Sequence, residues 1–481
     1  MTIMNVRISS QRIGDCAAQI LVMPIFVESN LERALADLDE LSGNMFSTIA
    51  MGIESSTTAN EMMVVPFGEK KVVLVGLGSK VLKERRDLRN CFGALGRKLR
   101  AMNAEAIAID TAELNGEEII AAIEGITLGN YEFDTFLSNK RKSLTSIEII
   151  AANSIEIESA IQTAVVSAET VNLAREWTNL PAAVCTPSFL ADEAKIISEQ
   201  YKLECIILNR LQMQELGMGG LLGVSRGSSE APKLVVLKYY GAPDSSELTA
   251  YVGKGVTFDS GGLSLKQPAT MIAMKRDMAG AACVLAATKA IAQLGLRTNI
   301  MTIMPLCENM PSGNALQPGE IIRTLSGKTV EVHSTDAEGR IILADAVTYA
   351  VHLGATRLVD VATLTAITNT LGNVTAGIID NNSEWCYKVV TAGAAADERL
   401  WRFPNYSEYK ELLKTPFADL KNSSATSGTV AGGLFIGEFV DGRPWVHIDI
   451  AGTAWNDNPY GINPAGASGS MVKTLIELAK L

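Results

Sequence analysis

Histidine is scarce in this chain of 481 residues: His333, His352 and His447 are the only three, and they are scattered. An imidazole-rich zinc site of the HExxH kind is therefore excluded, and carboxylate oxygens must carry any metal. The seven cysteines are odd in number, widely spaced and form no CxxC pair. They read as buried thiols in a reducing compartment rather than as a disulfide framework. No apolar stretch approaches the roughly 20 residues that span a bilayer. The run Ile20–Val27 is interrupted by Pro24, with neither a basic segment nor a small-residue cleavage site around it, so it reads as a strand of a cytoplasmic protein. Basic residues are in deficit as well, 42 Lys and Arg against 53 Asp and Glu, for a formal net charge of −11. That leaves no electrostatic footprint for nucleic acid or an anionic membrane. Gly76 and Gly78 follow a strand-like run, but position 81 is Val. The GxGxxG dinucleotide fingerprint is thus incomplete, and an ordinary strand-to-helix turn is expected.

What is present is an ordinary globular composition, 47% hydrophobic and 20% charged, in a chain long enough for about two or three domains. Short apolar runs at Val72–Val75, Ala106–Ile109 and Ser146–Ala151 predict strands, and Leu82–Met102 predicts a helix. Residues 1–153 are accordingly expected to form an N-terminal α/β domain. Helical spacing from Ile155 to Trp177, stopped by Asn179-Leu180-Pro181, predicts a linker helix over 154–178. In 179–481, β-branched runs at Leu234–Leu237, Asn299–Met304, Thr329–Val332, Leu358–Val361 and Trp445–Ile450 alternate with helical stretches at Met278–Leu294 and Arg340–Leu353. The expectation is a larger α/β/α catalytic domain around a central mixed sheet, covered on both faces and gathering ligands at its strand ends.

The chemistry is concentrated in two places. Lys254, Asp259 and Lys266 lie in VGKGVTFDSGGLSLK with Asp277 shortly after, and Asp336, Glu338 and Arg340 lie in STDAEGR. Singly, each has a bland explanation: Asp259 as a turn former in DSGG, Asp277 as an acid favoured by a helix dipole, Asp336 and Glu338 as a solvated loop, Lys266 and Arg340 as surface ion-pair partners. Together, four carboxylates can hold two cations about 3.5–4 Å apart, an arrangement that polarises a carbonyl and supplies hydroxide near neutral pH. Such chemistry hydrolyses amides or phosphate esters. Lys266 and Arg340 are expected to remain as uncompensated cations beside the cluster, where Lys266 suits an oxyanion and Arg340 offers a planar fork for a small carboxylate-shaped anion. His333 and His447 lie in or beside apolar runs and read as structural imidazoles, His333 with a possible contact to the acidic loop.

The run from Val252 to Lys266, the helix with MKRDMAGAA, the segments STDAEGR and DVATLTA, and the late WVHIDIAG resemble the leucyl aminopeptidase (cytosol aminopeptidase) family of di-metal exopeptidases. The resemblance is strong over about residues 165–481. It implies a tighter ion held by Lys254, Asp259, Asp277 and Glu338, and a more exchangeable one held by Asp259, Asp336 and Glu338, with Mn²⁺ or Zn²⁺ the foremost metals. A lysine ligand must lose its proton, which requires its usual pKa of about 10.4 to fall by several units. The resemblance also implies bicarbonate on Arg340, a homohexamer, an assembly role for the first domain, and a pocket lined by Met274, Thr363, Leu364, Ala366 and Ala451 for the N-terminal side chain of a peptide. That pocket contributes no charge, so Leu and Met are expected over Asp, Glu or Lys. Ser334 stands where the family has Asn, and Ala366 where it has Gly; neither removes a ligand. A two-metal phosphoesterase is disfavoured because no phosphate-cradling loop accompanies the acids, and a DNA-binding accessory role because of the acidic balance.

Overall fold

The computed structural model of the protein describes residues 4–51, 57–81, 84–151 and 155–481. The chain divides into two compact units, Met1–Asn172 with Asn458–Ala465, and Leu173–Asp457 with Gly466–Leu481. The expected linker helix spans Ile155–Asn179, and the division falls inside it.

The first unit is built on strands β1 (Asn5–Ser9), β2 (Ile20–Phe26), β3 (Met62–Phe67), β4 (Lys70–Gly78), β5 (Ala106–Asp110) and β6 (Ser146–Ile150). They form one sheet in the order β1-β6-β5-β2-β4-β3, parallel except at the β3–β4 hairpin. Pro24 sits inside β2, between two partners, where a proline would ordinarily remove a ladder bond. The β5 pairing ends at Val22, so at Pro24 only β4 runs alongside. The helix expected over Leu82–Met102 runs Arg85–Ala101; Leu82 and Lys83 lie outside the described residues. A second helix, Gly116–Gly129, starts at a capping box in which Asn115 and Glu118 exchange side-chain to backbone bonds of 3.0 and 2.7 Å.

These two helices approach closely because glycines face the neighbouring backbone. A Cβ on Gly125 would stand 2.4 Å from Arg89 O, and one on Gly129 2.0 Å from Gly93 O. Both are well inside contact distance and both meet backbone, which has no rotamer by which to yield. Gly129→Ala is therefore expected to destabilise this unit by about 1–3 kcal/mol, the range for overpacking. Urea denaturation checks it, and an unchanged midpoint would refute the close packing.

The second unit carries β7 (Glu204–Leu208), β8 (Lys233–Tyr240), β9 (Thr249–Gly253), β10 (Gly255–Asp259), β11 (Asn299–Asn309), β12 (Ile321–Arg323), β13 (Thr329–Glu331), β14 (Arg357–Ala362), β15 (Thr375–Asp380), β16 (Arg399–Arg402), β17 (Leu420–Lys421) and β18 (Trp445–Asp449). Its main sheet runs β16-β15-β18-β14-β9-β11-β8-β7, with β10 also paired to β11. The centre is parallel, and β7, β8 and the β15–β18 contact are antiparallel. Alternation along the central strands serves two faces. Ala250 and Val252 of β9 pack in one cluster with Ile341 and Ala344 of the helix Gly339–His352, whereas Tyr251 turns the other way and its hydroxyl donates to Leu475 O at 3.0 Å. The helix Ala279–Gln293 lies on that second face, where Thr288 meets Thr302 of β11. One expected member of the sheet belongs elsewhere: Thr329–Val332 yields β13, which pairs with β12 and β17 in a separate three-stranded sheet. A run of that length is too short for its composition to reveal its partner.

Candidate active site

The strand ends place the charged residues. Asp259 is the last residue of β10, and its Oδ1 accepts from Gly261 N at 2.9 Å and from Asn309 Nδ2 at 2.8 Å. Asn309 closes β11 and also donates to Thr335 O at 2.9 Å, so one amide ties the aspartate to the acidic loop. Gly261 has φ +86°, and a Cβ there would lie 2.4 Å from Ser264 O and 3.0 Å from Asp336 Oδ1; the turn requires glycine. Asp277 follows the single turn Met274–Arg276, and its Oδ1 accepts from Thr363 Oγ1 at 2.8 Å. Glu338 is the residue at the mouth of the helix Gly339–His352.

Lys254 lies between β9 and β10 with its Nζ 2.7 Å from Asp277 Oδ2, 2.8 Å from Glu338 Oε1 and 2.9 Å from Thr363 O. A Cβ on Gly339 would stand 2.6 Å from its Cε, so the glycine after Glu338 makes room for the lysine stem. Lys266 Nζ is 2.7 Å from Asp259 Oδ2 and pairs with Asp336 Oδ1 as well. Sequence reasoning expected Lys266 to stand uncompensated; it does not, because the DSGG turn folds it back over the two aspartates.

Burial and charge set the titration of this group. Burial pulls the Lys254 ammonium down, but Asp277, Glu338 and Asp259 outweigh it and the net shift is upward. Burial raises Asp277 well above the usual carboxylate range against the pull of Lys254, and raises Asp259 with help from Glu338. Glu338 goes the other way, since Lys254 and Lys266 together overcome its desolvation. Four carboxylates thus face two lysines, and Glu338 Oε2 is buried without a hydrogen-bond partner. Oxygens of Asp259, Asp336 and Glu338 all lie within 4.8 Å of one another. A surplus of buried negative charge with an unpartnered oxygen is what an all-oxygen cation site needs, and the donor set fits hard or borderline divalent ions.

Arg340 is buried, and desolvation lowers its pKa to about 10 despite Glu338 and Asp449. Its Nε has no hydrogen-bond partner among the described residues. Asp449 ends β18 and accepts from Leu364 N at 3.2 Å, Ala451 N at 3.0 Å and Thr365 Oγ1 at 2.5 Å. It therefore holds together the two loops that border the pocket.

Every expected site residue, Lys254, Asp259, Lys266, Met274, Asp277, Asp336, Glu338, Arg340, Thr363, Leu364, Ala366 and Ala451, lines one cavity of about 450 Å³, which Ser334 also borders. Sequence reasoning missed Arg276, Thr365, Ser423 and Ser424 in that lining, and Asn309 behind it. Asn309 gave no local signal, since an Asn at a strand end is common. Arg276 stands directly before Asp277 and was legible as a charged neighbour of the acids. The histidines divide. His447 is buried with Nδ1 2.6 Å from Asp360 Oδ1, a structural pairing as expected, although its Nε2 has no hydrogen-bond partner. His333 is exposed and pairs with Glu331 at 3.1 Å, a structural pairing at the surface. Six of the cysteines are buried and Cys205 is half-buried, all as free thiols. Among the described residues no helix is long and apolar enough to cross a membrane.

A mixed α/β sheet that gathers buried carboxylates and lysines into one cavity at its strand ends defines a metallohydrolase. The comparisons with known proteins give it a family. The cytosol aminopeptidase family, catalytic domain, matches residues 172–476, and the N-terminal domain of the same family matches residues 22–140. Probable cytosol aminopeptidases of Alkaliphilus metalliredigens and Solibacter usitatus are each 40% identical, over 99% of this chain and 99% of their own. Among solved structures, a mutant tomato leucine aminopeptidase is 32% identical with a TM-score of 0.89, covering 100% of this chain and 97% of that one. The bottromycin maturation enzyme BotP in complex with Mn is 33% identical with a TM-score of 0.85, covering 96% and 99%. This chain belongs to the cytosol aminopeptidase family. Its activity is that of a metal-dependent aminopeptidase, and neither a phosphoesterase nor a DNA-binding role is favoured.

The Asn309 amide supplies a direct check on the site's construction. Asn309→Ala leaves a buried aspartate oxygen and the Thr335 carbonyl each one donor short, and is expected to cost about 1–3 kcal/mol. A thermal midpoint equal to wild type would show that Asn309 does not hold Asp259 in place.

Proposed function

We propose that the protein releases uncharged N-terminal residues, Leu and Met foremost, from peptides with the help of two divalent ions, Mn²⁺ or Zn²⁺. The observation that carries the two-ion reading is the surplus of buried carboxylates over lysines, with Glu338 Oε2 unpartnered. Lys254, Asp259, Asp277 and Glu338 would hold the tighter ion, and Asp259, Asp336 and Glu338 the more exchangeable one; Lys254 would serve only as the neutral amine, the upward shift that its acids impose being reversed where divalent ions replace its proton. When bound, such a metal pair supplies Lewis acidity and a water that deprotonates near neutral pH. The side chains do the rest. Lys266 donates to the carbonyl oxygen as charge develops on it, once its two aspartates are engaged by cations. Arg340, fixed by burial and with an unpartnered Nε, presents a fork that would hold bicarbonate, which would supply a proton acceptor beside the site. Met274, Thr363, Leu364, Ala366 and Ala451 receive the N-terminal side chain, and the lack of a charged group among these five suits apolar residues. By analogy with its family, the protein works as a cytoplasmic homohexamer, with residues 1–153 serving assembly and 179–481 catalysis.

Removal of metal by chelation is expected to abolish hydrolysis of leucyl p-nitroanilide, and Mn²⁺ or Zn²⁺ to restore it; full activity in metal-free protein would refute the reading. Variants divide the roles. Glu338→Ala should lose metal and activity together, and Lys254→Ala should weaken metal binding. Lys266→Ala should keep its metal stoichiometry while kcat falls by about 10²–10³, the effect of losing one oxyanion donor. Metal analysis beside the kinetics decides, and equal metal loss in both lysine variants would contradict the division.

The methyl of Ala366 is the one intrusion at a position where the family has Gly. Ala366→Gly is expected to raise kcat/KM for Phe relative to Ala substrates by about 10- to 200-fold, corresponding to the 1–3 kcal/mol that one methylene-sized group is worth in an apolar pocket. An unchanged Phe-to-Ala ratio would mean that residue 366 does not face the side chain.

A further inference from the structure

Arg276 lines the active-site cavity and has no part in the chemistry above. It is half-buried, in the single turn Met274–Arg276 that leads into Asp277. Among the described residues no side chain hydrogen-bonds or ion-pairs with its guanidinium; Asp277 and Asp457 act on it only across a distance. The oxygens of Asp277 are already engaged by Thr363 and Lys254. Its guanidinium carbon stands 5.9 Å from the centre of the Trp455 ring. Lys275 lies over the same ring at 5.8 Å but sends its ammonium to Asn179 O at 2.5 Å, so the neighbouring cation is spoken for. A guanidinium held against an aromatic face keeps its fork of N–H donors for an acceptor in its plane.

Its place in the cavity says which part of a substrate meets it. Met274 is two residues before it, and Trp455 is four residues after Ala451. Met274 and Ala451 line the same cavity as Arg276 and belong to the pocket assigned to the N-terminal side chain. Ser334, Ser423 and Ser424, which border the cavity elsewhere, lie in other loops. We propose that Arg276 is a specificity-determining residue that binds the terminal oxygens of a long, acceptor-ended side chain, so that the enzyme releases N-terminal Glu and Gln alongside Leu and Met and discriminates against Lys and Arg. The inference rests on the pocket described under Proposed function and changes its restriction to uncharged side chains in one respect, because Arg276 adds to the lining a cation that the five pocket residues lack. The methylenes of Glu or Gln occupy the apolar lining, and the carboxylate or amide oxygen meets the guanidinium in a charge-assisted bond. Asp, one methylene shorter, falls short of it. A lysine side chain would bring an ammonium up to an unpaired guanidinium, a like-charge contact in a partly desolvated place.

The test uses the metal-loaded enzyme and tripeptides X-Gly-Gly with X as Leu, Glu, Asp or Lys. In wild type, kcat/KM for Glu is expected to exceed that for Lys and for Asp by about tenfold or more. Arg276→Met should lower the Glu-to-Leu ratio by about 10- to 100-fold, the effect of losing a hydrogen bond to a charged group, and Arg276→Lys should retain an intermediate ratio. Lys turned over as readily as Glu by wild type overturns the proposal whatever the variants do. So does an unchanged Glu-to-Leu ratio in Arg276→Met. If metal-loaded wild type leaves the Leu peptide intact, the aminopeptidase reading fails and takes this one with it, and that outcome is distinct because it does not depend on Arg276.

Discussion

Four carboxylates around two lysines, with Asp259, Asp277 and Glu338 buried and Asp336 at the exposed rim, form the constraint on which the catalytic unit depends. A buried ion is costly unless it is paired and hydrogen-bonded, so each acid must be met by a donor at close range. Asn309, Thr363 and Gly261 N meet Asp259 and Asp277, and Lys254 and Lys266 bridge the four acids in pairs. These donors come from the β9–β10 junction, the loop after β10, the end of β11 and the loop after β14, and Asp336 and Glu338 reach them from the segment before the helix Gly339–His352. Converging elements of that number can be brought to one place only where a sheet ends, and this sheet does so at the carboxyl ends of its parallel strands.

Close packing serves the same end. Gly339 makes room for the Lys254 stem, and Gly280 brings the helix Ala279–Gln293 so near β14 that a Cβ would stand 2.1 Å from Val361 O. The glycines in MAGAA and AEGR are thus part of the site although they carry no chemistry. Asp449 extends the same logic to the pocket, since it binds both the Leu364–Thr365 loop and Ala451 and so fixes the walls against which a substrate side chain is measured. The rigidity of the pocket and the burial of the acids share one scaffold.

Much of this was legible in residue order. The absence of clustered histidine pointed to oxygen ligands; the acids and lysines of VGKGVTFDSGGLSLK and STDAEGR were identifiable because their residue types are chemically unusual together, and the β-branched runs marked the central strands because a sheet covered on both faces must be apolar throughout. Less was legible where identity is set by a partner distant in the chain. The strand at Thr329 has the composition of a core strand, yet pairs with β12 and β17. His333 has an apolar setting in sequence and an exposed one in space. Lys266 reads as a free cation until the DSGG turn closes it onto Asp259 and Asp336.

The sequence by itself determined the class of chemistry, the family and the set of charged residues, because those depend on which functional groups are present and on motifs long enough to be distinctive. Only the tertiary structure decided which groups neutralise one another, which oxygen of Glu338 is left without a partner, and that Arg276 faces the substrate cavity while Lys275 beside it turns to Asn179. Pairing and desolvation are properties of distances across the fold, and two adjacent cations in a single turn are distinguished only by the direction in which each side chain points.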